Sequence, residues 1–315
     1  MSKKAIIVGH TGQDGTYLFQ LLKRKNYKIL GISSTSTVMS DGDTYDVVNI
    51  QNNLEVEKVV ASFQPDEIYY LAATHQSSGD KQIDEGELFQ RSIDINVKSL
   101  VNFLEAIRNH KSNAKLFYAA SSHLFGNPEN EQQDESTPIN PDCIYGITKA
   151  AGVKACQFYW ENHGVFASVG IFYNHESPLR QSKYVSKKIV ETAVAIKNNK
   201  ANELQLGSLD SRIDWGYAPD YVEAVFRIIQ LDLSDIYVIS SGSIHSVEDF
   251  VEKVFSYLGM NWKDYVKISK DIITKKQKRN LFGNSQKLMI DTDWTPTHNF
   301  DEMIKILVEE ELKKG

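Results

Sequence analysis

Ala5-Ile6-Ile7-Val8-Gly9-His10-Thr11-Gly12-Gln13-Asp14-Gly15 is the stretch that decides the fold. Its four apolar residues have the uniform character of a parallel strand buried on both faces. Three glycines follow at once, and Tyr17, Leu18, Leu21 and Leu22 then recur at helical spacing. Strand, glycine-rich turn and helix form the context that lifts a glycine motif above chance. The glycines let the backbone turn tightly and approach a pyrophosphate, which a helix N-terminus attracts. The spacing is Gly-x-x-Gly-x-x-Gly rather than Gly-x-Gly-x-x-Gly, and an ordinary tight turn is the bland alternative.

Working outward, a second strand is expected over residues 27–32, ending in Ser33-Ser34-Thr35-Ser36-Thr37. An acid there would hold a ribose 2′-hydroxyl and an arginine a 2′-phosphate. Neither is present, which leaves NAD or NADP open; the missing arginine leans towards NAD. Residues 55–63 read as a helix, 67–73 as a strand, 93–108 as a long amphipathic helix and 115–120 as a strand. A helix from Tyr145 to about Asn162 and a strand over 166–172 follow. Such alternation predicts an α/β, Rossmann-type doubly wound parallel sheet, with ligands at the carboxyl ends of its strands. Thr74-His75-Gln76 and Ser121-Ser122-His123 lie at two such ends; for His75, a local backbone cap and a substrate contact are both open.

The second half is less regular, with helices expected over 184–198, 218–231, 247–258 and 300–312 and a strand over 236–239. No repeat or linker is apparent. Residues 1–173 are therefore assigned to an NAD(P)-binding domain. Residues 174–315 are assigned mainly to a smaller, interwoven C-terminal substrate domain, with some segments returning to the first. With 315 residues the chain can bury a large core. Its formal net charge of -6 offers no basic surplus for phosphates and argues against nucleic acid. No run of about 18 apolar residues suggests a membrane span, and the N-terminus shows no signal-peptide core. Cys143 and Cys156 form neither a disulfide framework nor a metal-ligand spacing. A soluble cytoplasmic protein without a metal is expected.

Pro138-Ile139-Asn140-Pro141-Asp142-Cys143-Ile144 is rich in turn residues and leads into Tyr145-Gly146-Ile147-Thr148-Lys149. Residues four apart share a helix face, so Tyr145 and Lys149 point the same way. A fixed ammonium close to a phenol favours the phenolate, and a Tyr-x-x-x-Lys pair can then act as a base near neutral pH.

Gly9, Gly12 and Gly15, Leu71-Ala72-Ala73, Ser121 and Tyr145-x-x-x-Lys149 together resemble the extended short-chain dehydrogenase/reductase superfamily. Within it the chain is most similar to the GDP-mannose 4,6-dehydratases. Thr11 to Gly15, Asn174-His175-Glu176-Ser177-Pro178, Asp214-Trp215-Gly216, Asp220-Tyr221-Val222-Glu223 and His245-Ser246-Val247 carry that similarity in order over nearly the whole length. The resemblance implies a nucleotide-sugar substrate, with GDP as the expected nucleotide, and a nicotinamide cofactor. It places Tyr145 at the carbon 4 hydroxyl, Lys149 beside it and on the nicotinamide ribose, and Ser121 on the reacting oxygen. It adds Gln13, Asp14, Ser33, Asn49 and Ile50 to the cofactor set. To the substrate set it adds His75, Ser122, Asn174, Glu176, Arg180, Lys187, Arg212 and Arg279; for Asn174 and His175 a helix-capping loop is the bland alternative. Where the family has a glutamate that takes the carbon 5 proton, this chain has His123, and no carboxylate occurs in Ser121-Ser122-His123. The family arginine before Asp-Trp is Ile213, leaving Arg212, or Lys278 and Arg279, for phosphate. Chemistry confined to carbon 4 is therefore expected first. A 4,6-dehydratase using His123, an epimerase and a non-catalytic nucleotide-sugar sensor are the alternatives. A homodimer or homotetramer is expected, paired through the helices over 93–108 and 145–162.

Overall fold

The computed structural model describes residues 2–41, 44–76, 83–110, 113–269 and 280–314. Lys4–Val8 is a strand with its four apolar residues buried, and Gln13–Arg24 is the helix that follows the glycine turn. Eight strands form the main sheet. Their order is Ile236–Ile239, Ala167–Phe172, Lys115–Ser121, Glu67–Tyr70, Lys4–Val8, Lys28–Ile32, Thr37–Met39 and Thr44–Tyr45. The first six run parallel, and the last two add an antiparallel edge. From Lys4–Val8 the chain goes first to one side and then to the other. The order reverses there, opening a crevice beyond Val8 and Tyr70.

Strand alternation divides the sheet into two apolar faces. Ile6, Val8, Ile68, Tyr70 and Leu116 face a core with Phe103, Leu104 and Val153. Ala5, Ile7, Tyr69 and Phe117 face Leu18, Leu22, Val225, Ile228 and Trp294. The helix Ala218–Gln230 and the strand Ile236–Ile239 thus join the main sheet from the second half. A separate core gathers Ile189, Val190, Trp215, Phe250, Phe255, Ile304 and Leu307. It is built by the helices Val185–Lys197, Val247–Tyr257 and Phe300–Leu312. Among the described residues no helix is long and apolar enough to cross a membrane.

Three elements differ from the sequence-based expectation. The strand expected over 67–73 stops at Tyr70. Leu71 to Ala73 form a loop instead, against which Gly9 packs with φ +95°; a Cβ there would lie 2.9 Å from the Ala72 nitrogen. The helix expected over 93–108 starts earlier, at Glu85, where the Asp84 side chain accepts the Gly86 and Glu87 N–H groups. It then widens into a π turn over Asp94–Lys98 before continuing as Ser99–Asn109. The segment read around Arg212 as a phosphate site is a strand, Arg212–Tyr217. It pairs antiparallel with Ile244–Ser246 and, further on, parallel with Asn174–Glu176.

Candidate active site

A cleft of about 1130 Å³ opens at the strand ends where the sheet order reverses. Gly9, Gly12, Gln13, Asp14, Gly15, Ser33, Asn49, Ile50, Leu71, Ala72 and Ala73 all line it. A Cβ on Gly15 would sit 2.2 Å from the Gly9 carbonyl oxygen, so the loop and the helix start close on each other only without side chains. Gly12 begins the 12-residue helix, and no side-chain cap engages its first N–H groups. Bare backbone and an uncapped helix N-terminus suit an anion, so these residues fit the pyrophosphate of a dinucleotide. Ser33 and Asn49 spend their side chains locally: Ser33 accepts the Ser36 N–H at 3.0 Å and Asn49 accepts the Gln51 N–H at 3.1 Å.

The glycine turn is tied to Asn174–Glu176. His175 Nε2 lies 3.0 Å from each Asp14 carboxylate oxygen, and its Nδ1 lies 2.7 Å from the Tyr173 carbonyl. Burial works against charge on both groups. The mutual attraction and hydrogen bonds outweigh it, so Asp14 is held below and His175 above the usual range. Gln13 donates to the His175 carbonyl at 3.1 Å and accepts the Ser177 hydroxyl at 2.7 Å. Asn174, Glu176 and Arg180 line the cleft beside this contact. Arg180 pairs with Glu176 at 3.2 Å and stacks its guanidinium 3.6 Å from the Tyr184 ring centre.

Ser121, His123, Tyr145, Lys149 and His75 meet on the same cleft wall. Tyr145 and Lys149 share the helix Ile144–His163, and Ser121 ends the strand Lys115–Ser121. Tyr145 and Ser121 both line the cleft, and the Ser121 side chain works against burial to lower the Tyr145 pKa. Lys149 is fully buried, donates to the Ala119 carbonyl at 2.7 Å, and lies 5.7 Å from the Tyr145 ring centre. The His75 ring sits edge-on to Tyr145 at 4.6 Å and parallel to Tyr184 at 6.4 Å. The expected depression of the phenol pKa is not present in the chain's own electrostatics. Burial, with Tyr184 and Asp14 adding to it, pushes Tyr145 up, while burial pulls Lys149 down to about 7. A desolvated lysine carries less charge to offer its neighbour.

Three expected substrate residues lie outside the cleft lining. The Ser122 side chain is buried outside the cleft lining. Lys187 is buried against Glu311 at 2.6 Å and Glu191 at 3.7 Å, which makes it a tie to the last helix. Arg212 pairs in the backbone ladder opposite Ser246, away from the cleft lining, and Arg279 falls outside the described residues, as does Lys278. Sequence reasoning passed over Tyr184, Asn96 and Cys143. Asn96, buried in the π turn, accepts the Thr74 N–H and donates to Thr148, each at 2.9 Å. Its helix gave an apolar rhythm but no signal that the turn widens there. For Tyr184, an aromatic four residues after Arg180 was a usable hint. Among the described residues no cluster of three or more His, Cys, Asp or Glu could hold a metal ion.

A Rossmann-type sheet with a Tyr-x-x-x-Lys helix over its switch point is the architecture of an extended short-chain dehydrogenase/reductase. The family model for GDP-mannose 4,6 dehydratase matches residues 6–307, and the chain belongs to that family. It is 33% identical over 331 residues to GDP-mannose 4,6 dehydratase 2 of Arabidopsis thaliana, covering 99% of this chain and 87% of that one. Among solved structures it is similar to RMD from Pseudomonas aeruginosa complexed with NADPH, with a TM-score of 0.83, 17% identity and 100% of each chain covered. It is also similar to dTDP-glucose 4,6-dehydratase from Bacillus anthracis in complex with NAD. That match has a TM-score of 0.81, 18% identity and covers 99% and 97% of the two chains.

Proposed function

We propose that this chain is a nicotinamide-dependent oxidoreductase acting at carbon 4 of a GDP-linked hexose or heptose. The observation that carries the proposal is that Ser121, Tyr145 and buried Lys149 line one cleft, while both carboxylates lining it among the described residues are committed. Asp14 is bound to His175; Glu176 accepts the Ser186 hydroxyl at 2.7 Å and pairs with Arg180. Among the described residues no such carboxylate is left to take a carbon 5 proton, which supports chemistry confined to carbon 4.

A bound nicotinamide supplies the hydride acceptor or donor. Ser121 and Tyr145 hold the carbon 4 oxygen and exchange its proton, and buried Lys149 orients the tyrosine from below. His75 packs against the Tyr145 ring and keeps water from it. Burial keeps the proton on Tyr145 at neutral pH, so oxidation at carbon 4 requires that proton to leave first. The GDP assignment rests on the family, which is named for GDP-mannose. The relatives in complex hold NADPH or NAD. The serine-rich loop over residues 33–37 lacks an arginine, which favours NAD.

A second reading, a 4,6-dehydratase with His123 as the carbon 5 base, has one observation behind it: the imidazole lines the cleft with its ring centre 5.8 Å from that of Tyr145. The test of the primary reading is turnover of GDP-mannose and a GDP-heptose, followed by absorbance of the reduced cofactor. Tyr145→Phe is expected to lose about 10²–10⁴-fold in kcat with KM little changed. Full turnover by that variant would sink the assignment. Oxidation is further expected to accelerate as pH rises, because the phenolate fraction grows.

A further inference from the structure

Tyr184 stands where the helix Val185–Lys197 begins. Its N–H donates to the Gln181 carbonyl at 3.1 Å and its carbonyl accepts the Lys188 N–H at 2.9 Å. The residue lines the cleft on backbone bonded in both directions. The Arg180 guanidinium carbon lies 3.6 Å from the ring centre, which is face contact; Lys183 Nζ is farther off, at 5.5 Å. Glu176 is a second neighbour of the guanidinium. Its Oε2 lies 3.2 Å from Nε, yet the buried Nε is out of line for a hydrogen bond. The same carboxylate oxygen accepts the Ser186 hydroxyl at 2.7 Å. Such a contact fixes where the charge sits but not how its plane is turned. Among the described residues no acceptor is bonded to Arg180 Nη1 or Nη2, and neither nitrogen is buried. The charge is felt at Asp14, His175 and Tyr145, so it stands within reach of both the glycine turn and the Tyr145 wall.

We infer that Tyr184 is a positioning residue whose ring seats the Arg180 guanidinium, so that the two Nη nitrogens are offered to a diphosphate in the cleft. The inference rests on the reading of the cleft as a nucleotide-sugar site and deepens it. A guanidinium is planar and carries its N–H donors in that plane. Stacking on an aromatic ring therefore uses a face and leaves the donors available. The ring attracts the cation and, being flat, also sets the tilt of the fork. With Nε turned to Glu176, the outer edge is the one left for a ligand. That edge matches two oxygens of a phosphate group. Cofactor and sugar nucleotide both carry a diphosphate, so the chemistry recognised is common to the two. Without the ring, the guanidinium is free to rotate its Nη edge onto Glu176. A bidentate Arg–carboxylate pair then forms and withdraws the donors from the cleft.

The test is a double-mutant cycle on Tyr184 and Arg180, read by calorimetric titration of GDP and, separately, of NAD into each protein. Tyr184→Leu is expected to raise the Kd of at least one of them about tenfold, and Tyr184→Phe, which keeps the ring, to stay within about twofold of the native chain. Tyr184→Met, which fills the space without a ring, is run beside the leucine variant in case that one does not fold. On an Arg180→Gln background, Tyr184→Leu is expected to cost no further affinity, because the seat then has nothing to hold. A loss confined to GDP assigns the diphosphate to the sugar nucleotide, and a loss confined to NAD assigns it to the cofactor; either supports the seat. Unchanged affinity for both nucleotides in the ringless variants overturns the inference. So does an equal loss with and without the Arg180 guanidinium, which marks a merely structural role. If the ring effects appear as expected while no GDP-sugar is turned over, the Tyr184 seat stands and the carbon 4 reading falls.

Discussion

Lys149 shows how much the surroundings add to a residue that its spacing alone had singled out. The helical period is a local property, so Tyr145 and Lys149 could be placed on one face from their numbers. Their solvation is not local. It depends on the strand Lys115–Ser121 beneath the helix, which supplies the Ala119 carbonyl and the Tyr118 ring 4.9 Å from the ammonium. With the folded pKa near 7 against 10.5, the unfolded chain binds a proton between those values that the folded chain does not. Stability therefore rises with pH across that window. Lys149→Met is expected to be more stable than the native chain at and below neutral pH, by on the order of 2–4 kcal/mol before the lost hydrogen bond is subtracted. The advantage should shrink as pH rises from about 7 towards 10.5. Thermal melts of both proteins between pH 6 and 10 check the trend; a pH-independent difference would contradict it.

At the scale of elements, the glycine turn and Asn174–Glu176 form one unit. The sequence marked the first as a cofactor loop and the second as a ligand-binding segment on family similarity. Their mutual pairing, between residues 161 positions apart, leaves no trace in periodicity. The same holds for the π turn, where Asn96 reaches back to Thr74. His175→Leu is expected to cost about 2–3 kcal/mol by leaving Asp14 without its partner. Asp14→Asn with His175→Leu should cost less than the sum of the two. Asp14 contributes above its unfolded value near 3.8 and loses that contribution as pH falls through its lowered folded value. His175 contributes fully below 6.5 and loses it as pH rises through its raised folded value. Denaturant midpoints across that range, with a maximum between the two limits that His175→Leu abolishes, are the expected result.

For the whole molecule, the strand–turn–helix opening and the alternation that follows were enough to foresee a doubly wound sheet, because each unit repeats the same local signals. The second half was less legible. Its strands are short and pair with distant partners, as Arg212–Tyr217 does on both sides. Exposed apolar side chains cluster on two helices that pack together: Phe89 on Glu85–Ile93, and Ile147 and Phe158, eleven residues apart on one face of Ile144–His163. Ile144–His163 overlaps one helix expected to pair between subunits, whereas Phe89 lies just before the other, expected over 93–108. Light scattering is predicted to give a dimer or tetramer, and Phe158→Glu to lower the mass towards the monomer; a native monomer would contradict this.

The most direct test of the carbon 4 assignment is mass spectrometry of GDP-mannose and a GDP-heptose after incubation with the chain and NAD in heavy water. The account predicts a product lighter by two hydrogens, reduced cofactor in equal amount, and no deuterium at carbon 5. A product that has lost one water and gained deuterium at carbon 5, with no net reduction of the cofactor, would contradict it and make His123 the base of a dehydratase.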